Sequence, residues 1–320
     1  MWARVCPEQV QPASVAGDQL GHAQVGRAAF VDWPTLALIV AFWAGFLGLT
    51  IAQSRVPTVG LLAGLAILGG LYMSLEHEAI HGHPTSSPRL NHVLVAAPLG
   101  MIQPFGRYRT THLRHHDSDL TDPVSDPESY YVLPVTWEHA GPVRRLVLQA
   151  NRTLAFRLTV GPMLAVVRTV GYDIRHARRD RDIAFIWSLH LVGCAVIIAA
   201  LRFVGMPLWI YVVGFVFGGG SFTALRSFVE HRATAQPRSA IVHTGWFFSV
   251  LYLNNNLHYT HHQLPGAAWY RLPELTNALD VERVVADGAG SYESYRSIFR
   301  LYFLHPFDEP VTPLSAKMEV

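Results

Sequence analysis

PTVGLLAGLAILGGLYMSLEHEAIH, residues 57–81, is the stretch whose reading decides the fold. From Pro57 to Leu75 it carries no charge, and it has the length of a bilayer crossing, which needs about 20 apolar residues. It runs straight into His77-Glu-Ala-Ile-His81. Two imidazoles four residues apart share one face of a helix, and imidazole is the commonest side-chain metal ligand. A span that ends in such a pair puts metal chemistry at the edge of a membrane.

Three more stretches are of the same kind: Pro34 to Gln53, Ile183 to Leu201, and Phe203 to Leu225. Only a few residues around Arg55 join the first pair of spans, and Arg202 and Pro207 lie at the joint of the second pair. Each pair therefore reads as a tight transmembrane hairpin. The composition agrees. Half of the 320 residues are hydrophobic, 15% are charged against roughly 25% in a soluble domain, and mean hydropathy is +0.22. The expected fold is an all-α integral membrane domain: an N-terminal segment (1–32), hairpin one (34–75), a middle segment (76–182), hairpin two (183–226) and a C-terminal segment (227–320). A net charge of +2 is too small to suggest nucleic acid. Cys6 and Cys194 form no CxxC pair, so a disulfide framework, a thiolate zinc site and a built-in iron–sulfur cluster are not expected. The first 30 residues lack a basic start followed by an apolar core, so no cleaved signal peptide is expected.

Two hairpins leave the three polar segments on one side. The middle one holds Arg144, Arg145, Arg152, Arg157, Arg168, Arg175, Arg178, Arg179 and Arg181, which by the positive-inside rule makes that side cytoplasmic. Two weaker apolar runs, Val93 to Ile102 and Ile241 to Leu253, read as interfacial or re-entrant helices. Residues 143–172 read as amphipathic surface helices. The tail from Ser291 carries aromatics at helical spacing.

The same side receives two further clusters, His112-Leu-Arg-His115-His116 and His258-Tyr-Thr-His261-His262, and the lone His231. HxxHH places its rings at i, i+3 and i+4, again on one helix face. Eight or nine imidazoles exceed the four to six ligands of one ion and suit two. An all-nitrogen set suits iron, zinc, copper or nickel. Iron is favoured, because cytoplasmic chemistry on unactivated C–H bonds uses oxygen activation by reduced iron. Isolated histidines such as His22, His83 and His190 read as caps or satisfied polar groups. HEAIH also fits HExxH, in which two histidines hold zinc and Glu78 would be the general base of a peptidase. That reading leaves both HxxHH clusters without a role.

The order HxxxH, HxxHH, HxxHH around two hairpins resembles the membrane fatty acid desaturase and hydroxylase superfamily, from the first span to about Pro273. The matching residues are HEAIHGH (77–83), THLRHH (111–116), DPESYY (126–131), EHR (230–232), NLHYTHH (256–262) and WYRLP (269–273), and the detail is similar to bacterial members. The resemblance implies a di-iron enzyme that uses O2, with His77, His81, His112, His115, His116, His231, His258, His261 and His262 as ligands. It implies a fatty acyl or other lipid substrate, and a location in the bacterial inner membrane. Animal acyl-CoA desaturases carry Asn one turn before the ninth histidine, where this chain has Ser227. No His-Pro-Gly-Gly haem motif is present, so electrons would come from a separate ferredoxin, rubredoxin or cytochrome b5-type carrier with its reductase.

Ligating histidines donate their second nitrogen to an oxygen. Asp122, Asp126 and Glu230 are the foremost acceptors for that role, with Asp117, Asp119, Glu128 and Glu78 behind them. Asn254, Asn255 and Asn256 are placed to orient the third cluster or to cap its helix. Desaturation is the expected reaction. Hydroxylation, carotenoid ketolation and decarboxylation to a terminal alkene stay open. Glycines at 60, 64, 69, 70 and 218–220 read as close helix packing or, less simply, as a tunnel wall.

Overall fold

The computed structural model describes residues 31–234 and 236–313. Cys6, His22 and the leader expectation lie outside them. Among the described residues, four helices are long and apolar enough to cross a membrane: Trp33–Ile51, Thr58–Ile80, Arg181–Phe203 and Leu208–Ser227. They form the two hairpins of an all-α membrane fold. Large apolar side chains on the third helix, among them Phe185, Leu189, Leu191, Val192 and Val196, are exposed. A helix that turns its apolar surface outward in this way is stable in lipid, not in water.

The second span is longer than its apolar run suggests. The helix continues past Leu75 through Glu76 and His77 and caps at His81. The first histidine pair therefore stands on a rigid extension of the span rather than on a loop.

Spans two and four pack along a seam of glycine. A Cβ on Gly69 would fall 2.2 Å from the Phe215 carbonyl oxygen and 3.0 Å from Gly219 Cα, and a Cβ on Gly218 would fall 2.6 Å from Ala66 Cβ. The tight-packing reading of these glycines holds. Across the seam the fourth span makes a π-helical stretch at Val212–Gly218, and α-helix resumes at Gly219. Gly64 meets Leu49 of the first span in the same manner, at 2.9 Å.

Above the bundle sit short helices. Phe105–His116 carries the second cluster and His258–Gln263 the third. The amphipathic stretch resolves into Pro142–Ala150, Leu154–Thr159 and Gly161–Ala177. A polar joint ties three of these parts together. Arg107 donates to both carboxylate oxygens of Asp173 at 2.9 and 2.7 Å, and the Trp187 indole donates to the same group at 2.8 Å. The joint fixes the second-cluster helix to the Gly161–Ala177 helix and the third span.

Two local expectations need correction. Val93 to Ile102 is not a helix. The helix is Pro88–Val95, and it caps at Ala96, two residues before Pro98, because a residue preceding proline is biased away from helix and proline supplies no N–H. Ile241 to Leu253 begins as a strand. Ile241–Val242 pairs in parallel with Ser291–Tyr292, and only Trp246–Leu251 is helical. The β-branched pair at 241–242, fully buried, goes to the ladder. The tail forms a helix at Tyr295–Tyr302, started by a Ser294/Ser297 capping box.

Gly69→Ala is expected to destabilise the protein by about 1–3 kcal/mol through overpacking. Gly48→Ala, on a helix face with nothing within 4 Å of the added carbon, is expected to be neutral or to gain about 0.5–1 kcal/mol. Thermal unfolding of the purified protein in detergent checks both. Equal melting temperatures would mean that the seam is not close-packed.

Candidate metal centre

All nine histidines meet at one end of the bundle, in two groups. His77, His81, His112, His116 and His261 form one, and His115, His231, His258 and His262 the other; within each, one ligand atom per residue lies within 4.8 Å of the rest. The groups abut, with the His116 and His262 rings stacked at 4.2 Å between centroids. The i, i+3, i+4 spacing explains the division. In each HxxHH helix, neighbouring rings fall to different groups: His112 and His116 to the first and His115 to the second, His261 to the first and His258 and His262 to the second.

Eight of the rings converge through Nε2, while His77 Nε2 lies 3.4 Å from Asn255 Nδ2. In the five-membered group, His112 Nε2 lies 3.0 Å from His81 Nε2 and 3.2 Å from His116 Nε2, which is 3.2 Å from His261 Nε2. In the four-membered group, His231 Nε2 lies 3.1 Å from His115 Nε2 and 2.9 Å from His258 Nε2, which is 3.1 Å from His262 Nε2.

Outer partners decide which nitrogen carries the proton. His115 Nδ1 donates to Asp126 Oδ1 at 2.8 Å, His112 Nδ1 to Glu128 Oε1 at 3.1 Å and His258 Nδ1 to Asn255 Oδ1 at 3.1 Å. Their Nε2 atoms therefore carry lone pairs and point inward. His231, with Ser239 Oγ 3.3 Å from its Nδ1, stands between His115 and His258. One proton on its Nε2 can serve only one of them. A cation at the focus satisfies all four nitrogens together, so the donor set fits a metal ion.

The electrostatics agree. Burial, followed by the neighbouring imidazoles, holds His81, His231, His258, His261 and His262 well below the ordinary imidazole range and His116 at about 2. These rings are neutral at pH 7, as ligands must be; His115 is shifted the other way, since Glu128 and Asp126 outweigh burial and raise it. Burial works to raise the Glu128 carboxyl, but His115 and the hydrogen bond from His112 Nδ1 outweigh it and keep it ionised.

The expected outer residues divide. Asp126 reaches His115, and it also accepts N–H bonds from Thr121 and Glu128, which freeze its orientation. Glu230 pairs with Arg226 at 3.0 Å and lies 3.5 Å from His258 Nδ1. Asp122 does not reach a histidine: its carboxylate accepts from Val124 N, Ser125 N and the Ser125 hydroxyl, capping its own turn. Asn254 is also displaced. It sits at positive φ and donates to the Trp269 carbonyl, while its neighbour Asn255 holds His258. Asn256 donates to the Val242 carbonyl at 2.7 Å and so fastens the third cluster to the two-stranded ladder.

A third polar group was not foreseen. His83, read as an isolated histidine, donates from Nδ1 to Asp32 at 2.9 Å and from Nε2 to the Gly266 carbonyl at 3.3 Å. Oxygens on both ring nitrogens call for the doubly protonated ring; burial opposes that charge, but Asp32 and Glu78 raise the ring's pKa. Glu78 joins this knot and accepts the Trp269 N–H at 3.0 Å. It is committed to structure there and is not placed as the base of a zinc peptidase, whose two histidines here belong to a five-imidazole group.

Beside the metal end lies a cavity of about 170 Å³ between spans two and four and the Phe105–His116 and Gly161–Ala177 helices. Tyr108, whose ring is 5.6 Å from that of His112, is on its wall, with Ser227 and with Glu76, the residue before His77. Gly69 and Gly220 also border it, so the glycine seam both closes the helices and leaves this space open.

Residues 52–295 match the family model described as fatty acid desaturase. The chain belongs to the fatty acid desaturase family. No curated protein matches it. The match runs from the first hairpin to the ladder at Ser291–Tyr292, so it includes all nine converging histidines of this desaturase-family chain. The family supports an oxidoreductase that works on fatty acyl substrates in membranes.

Asp126→Asn is expected to weaken Co2+ binding by about 10–100-fold, the usual cost of losing an outer partner. Asp122→Asn is expected to leave it unchanged. Titration of the metal-free protein, followed by Co2+ absorption, separates them; similar losses in both would contradict the assignment.

Proposed function

We propose that the two imidazole groups hold two iron ions, one on His77, His81, His112, His116 and His261 and the other on His115, His231, His258 and His262. We further propose that the chain desaturates fatty acyl chains, with O2 as co-substrate. The observation that carries this reading is the juxtaposition of nine converging imidazoles with a mainly apolar cavity that reaches Tyr108 beside His112. All-nitrogen donors suit several metals, but a lipid-facing space holds substrates with little besides C–H bonds to react. A reduced iron pair, when bound, supplies oxygen activation and with it the capacity to remove hydrogen from an unactivated methylene.

The protein's own contribution is position and dryness. Tyr72 and Phe215, both buried, form part of the wall along which the chain would lie. The Tyr72 hydroxyl, which also faces the Val95 and Ala97 carbonyls, lies 3.0 Å from Glu76 Oε1, which keeps that carboxyl from standing bare in the cavity. Asp126, Glu128 and Asn255 hold three imidazoles in one tautomer, so the ligand geometry is set before metal arrives. The arginine-rich middle segment supports a cytoplasmic active site, where a soluble ferredoxin, rubredoxin or cytochrome b5-type carrier would deliver electrons.

Two irons per chain are expected from elemental analysis of protein purified after growth with iron. Expression in a host of simple lipid profile is expected to give acyl chains lighter by two hydrogens, read by mass spectrometry, and His261→Ala is expected to reduce that product to background. One zinc per chain would overturn the metal assignment. A gain of oxygen or a loss of carbon dioxide would replace desaturation by hydroxylation, ketolation or decarboxylation.

A further inference from the structure

We infer that Arg157 binds the carboxylate of a free fatty acid whose chain occupies the cavity. The inference rests on the proposed reading of that cavity as the acyl site, and it names the substrate class. Arg157, on the Leu154–Thr159 helix, is 2% exposed and lines the cavity. Its Nε donates to the Asn151 carbonyl at 3.1 Å, and its guanidinium lies 3.7 Å from the Tyr130 ring centroid and 5.6 Å from that of Phe228. Its Nη1 is buried with no hydrogen-bond partner.

Other enclosed arginines are matched by anions. Arg107 pairs with Asp173, Arg152 with Asp308 and Arg226 with Glu230. Among the described residues no carboxylate pairs with Arg157, although burial is where an unmatched cation is least tolerated. Burial lowers the guanidinium to about 10, so it remains charged at pH 7. The other charged side chain on the cavity wall, Glu76, is already engaged by Tyr72.

An anion entering with an apolar tail would resolve the mismatch. A carboxylate is planar, singly charged and able to take two N–H bonds from one guanidinium. A thioester carbonyl or a carotenoid ring brings no charge and would leave the cation bare. Tyr130 connects this end of the cavity to the metal centre, because Glu128, two residues earlier, holds His112. The acid head would thus lie toward the metal end of the cavity.

The test uses the full chain in nanodiscs and a fluorescent polyene alcohol of fatty-acid length as a neutral probe of cavity occupancy. The probe is displaced by a saturated fatty acid, by the alcohol, methyl ester and coenzyme A thioester of the same chain, and by the alkyl phosphate, each corrected for lipid partitioning. The acid is expected to bind about tenfold more tightly than the alcohol or ester, the worth of one charge-assisted hydrogen bond. Arg157→Met is expected to erase that preference while still binding the probe, and Arg157→Lys to retain part of it. Equal binding of acid and alcohol by the wild-type chain would overturn the inference without need of a variant, as would tighter binding of the thioester or phosphate. If the probe fails to bind at all, the acyl-site reading falls and this inference with it.

Discussion

The convergence of nine imidazoles on one end of the bundle is the constraint around which this molecule is built. Within each group the Nε2 atoms approach one another to 2.9–3.2 Å. Oxygens behind three of these rings aim them inward, and two of those oxygens are themselves fixed: Asp126 by two backbone N–H groups, and Asn255 by the turn at Leu253 and Asn254, both at positive φ. Those hydrogen bonds set the orientation of the rings, and the nitrogens they aim inward suit a cation.

That arrangement needs four chain segments to arrive at one place with little tolerance, and the glycine seam provides much of it. Span two delivers His77 and His81, and span four delivers the turn that ends in His231. With Gly69 against Phe215 and Gly219, the two backbones touch and their relative depth is set by contact between main chains instead of flexible side chains. In lipid, where apolar burial gives helices no reason to associate, close packing of small residues is the available substitute.

Much of this was legible in sequence because its carriers are periodic. Apolar runs of membrane length and rings at i, i+3 and i+4 depend on local geometry alone, and the hairpins, the three clusters and the glycine packing all came from such patterns. What failed depends on the path of irregular chain. Asp122 and Asp126 are equivalent as letters near the second cluster. Only the path of the turn distinguishes them: Asp122 caps Ser125, and Asp126 faces His115. Asn254 and Asn255 are adjacent, and a backbone at positive φ sends their side chains to different partners. The His83 knot joins residues 32, 78, 83 and 266, contacts that no spacing rule connects. The signal that could have found it is the second histidine in His81-Gly-His83, one turn beyond the span.

The third span raises the remaining architectural question, since it contributes no histidine to either group and turns most of its apolar surface outward. Part of what holds it is steric: Gly193 leaves so little room that a Cβ there would meet Pro98 at 2.8 Å. The rest is polar. Trp187 of this span and Arg107 of the second-cluster helix share the Asp173 carboxylate. A buried ion pair contributes little net stability when it replaces apolar packing in water, but a lipid-facing helix has no such packing to lose. The same carboxylate lies one helical stretch beyond His112 and His115 through Arg107, so the joint that retains the third span also fixes the N-terminal end of the helix that carries three of the nine imidazoles. Retention of a lipid-facing span and orientation of metal-binding rings are, in this fold, served by one buried aspartate.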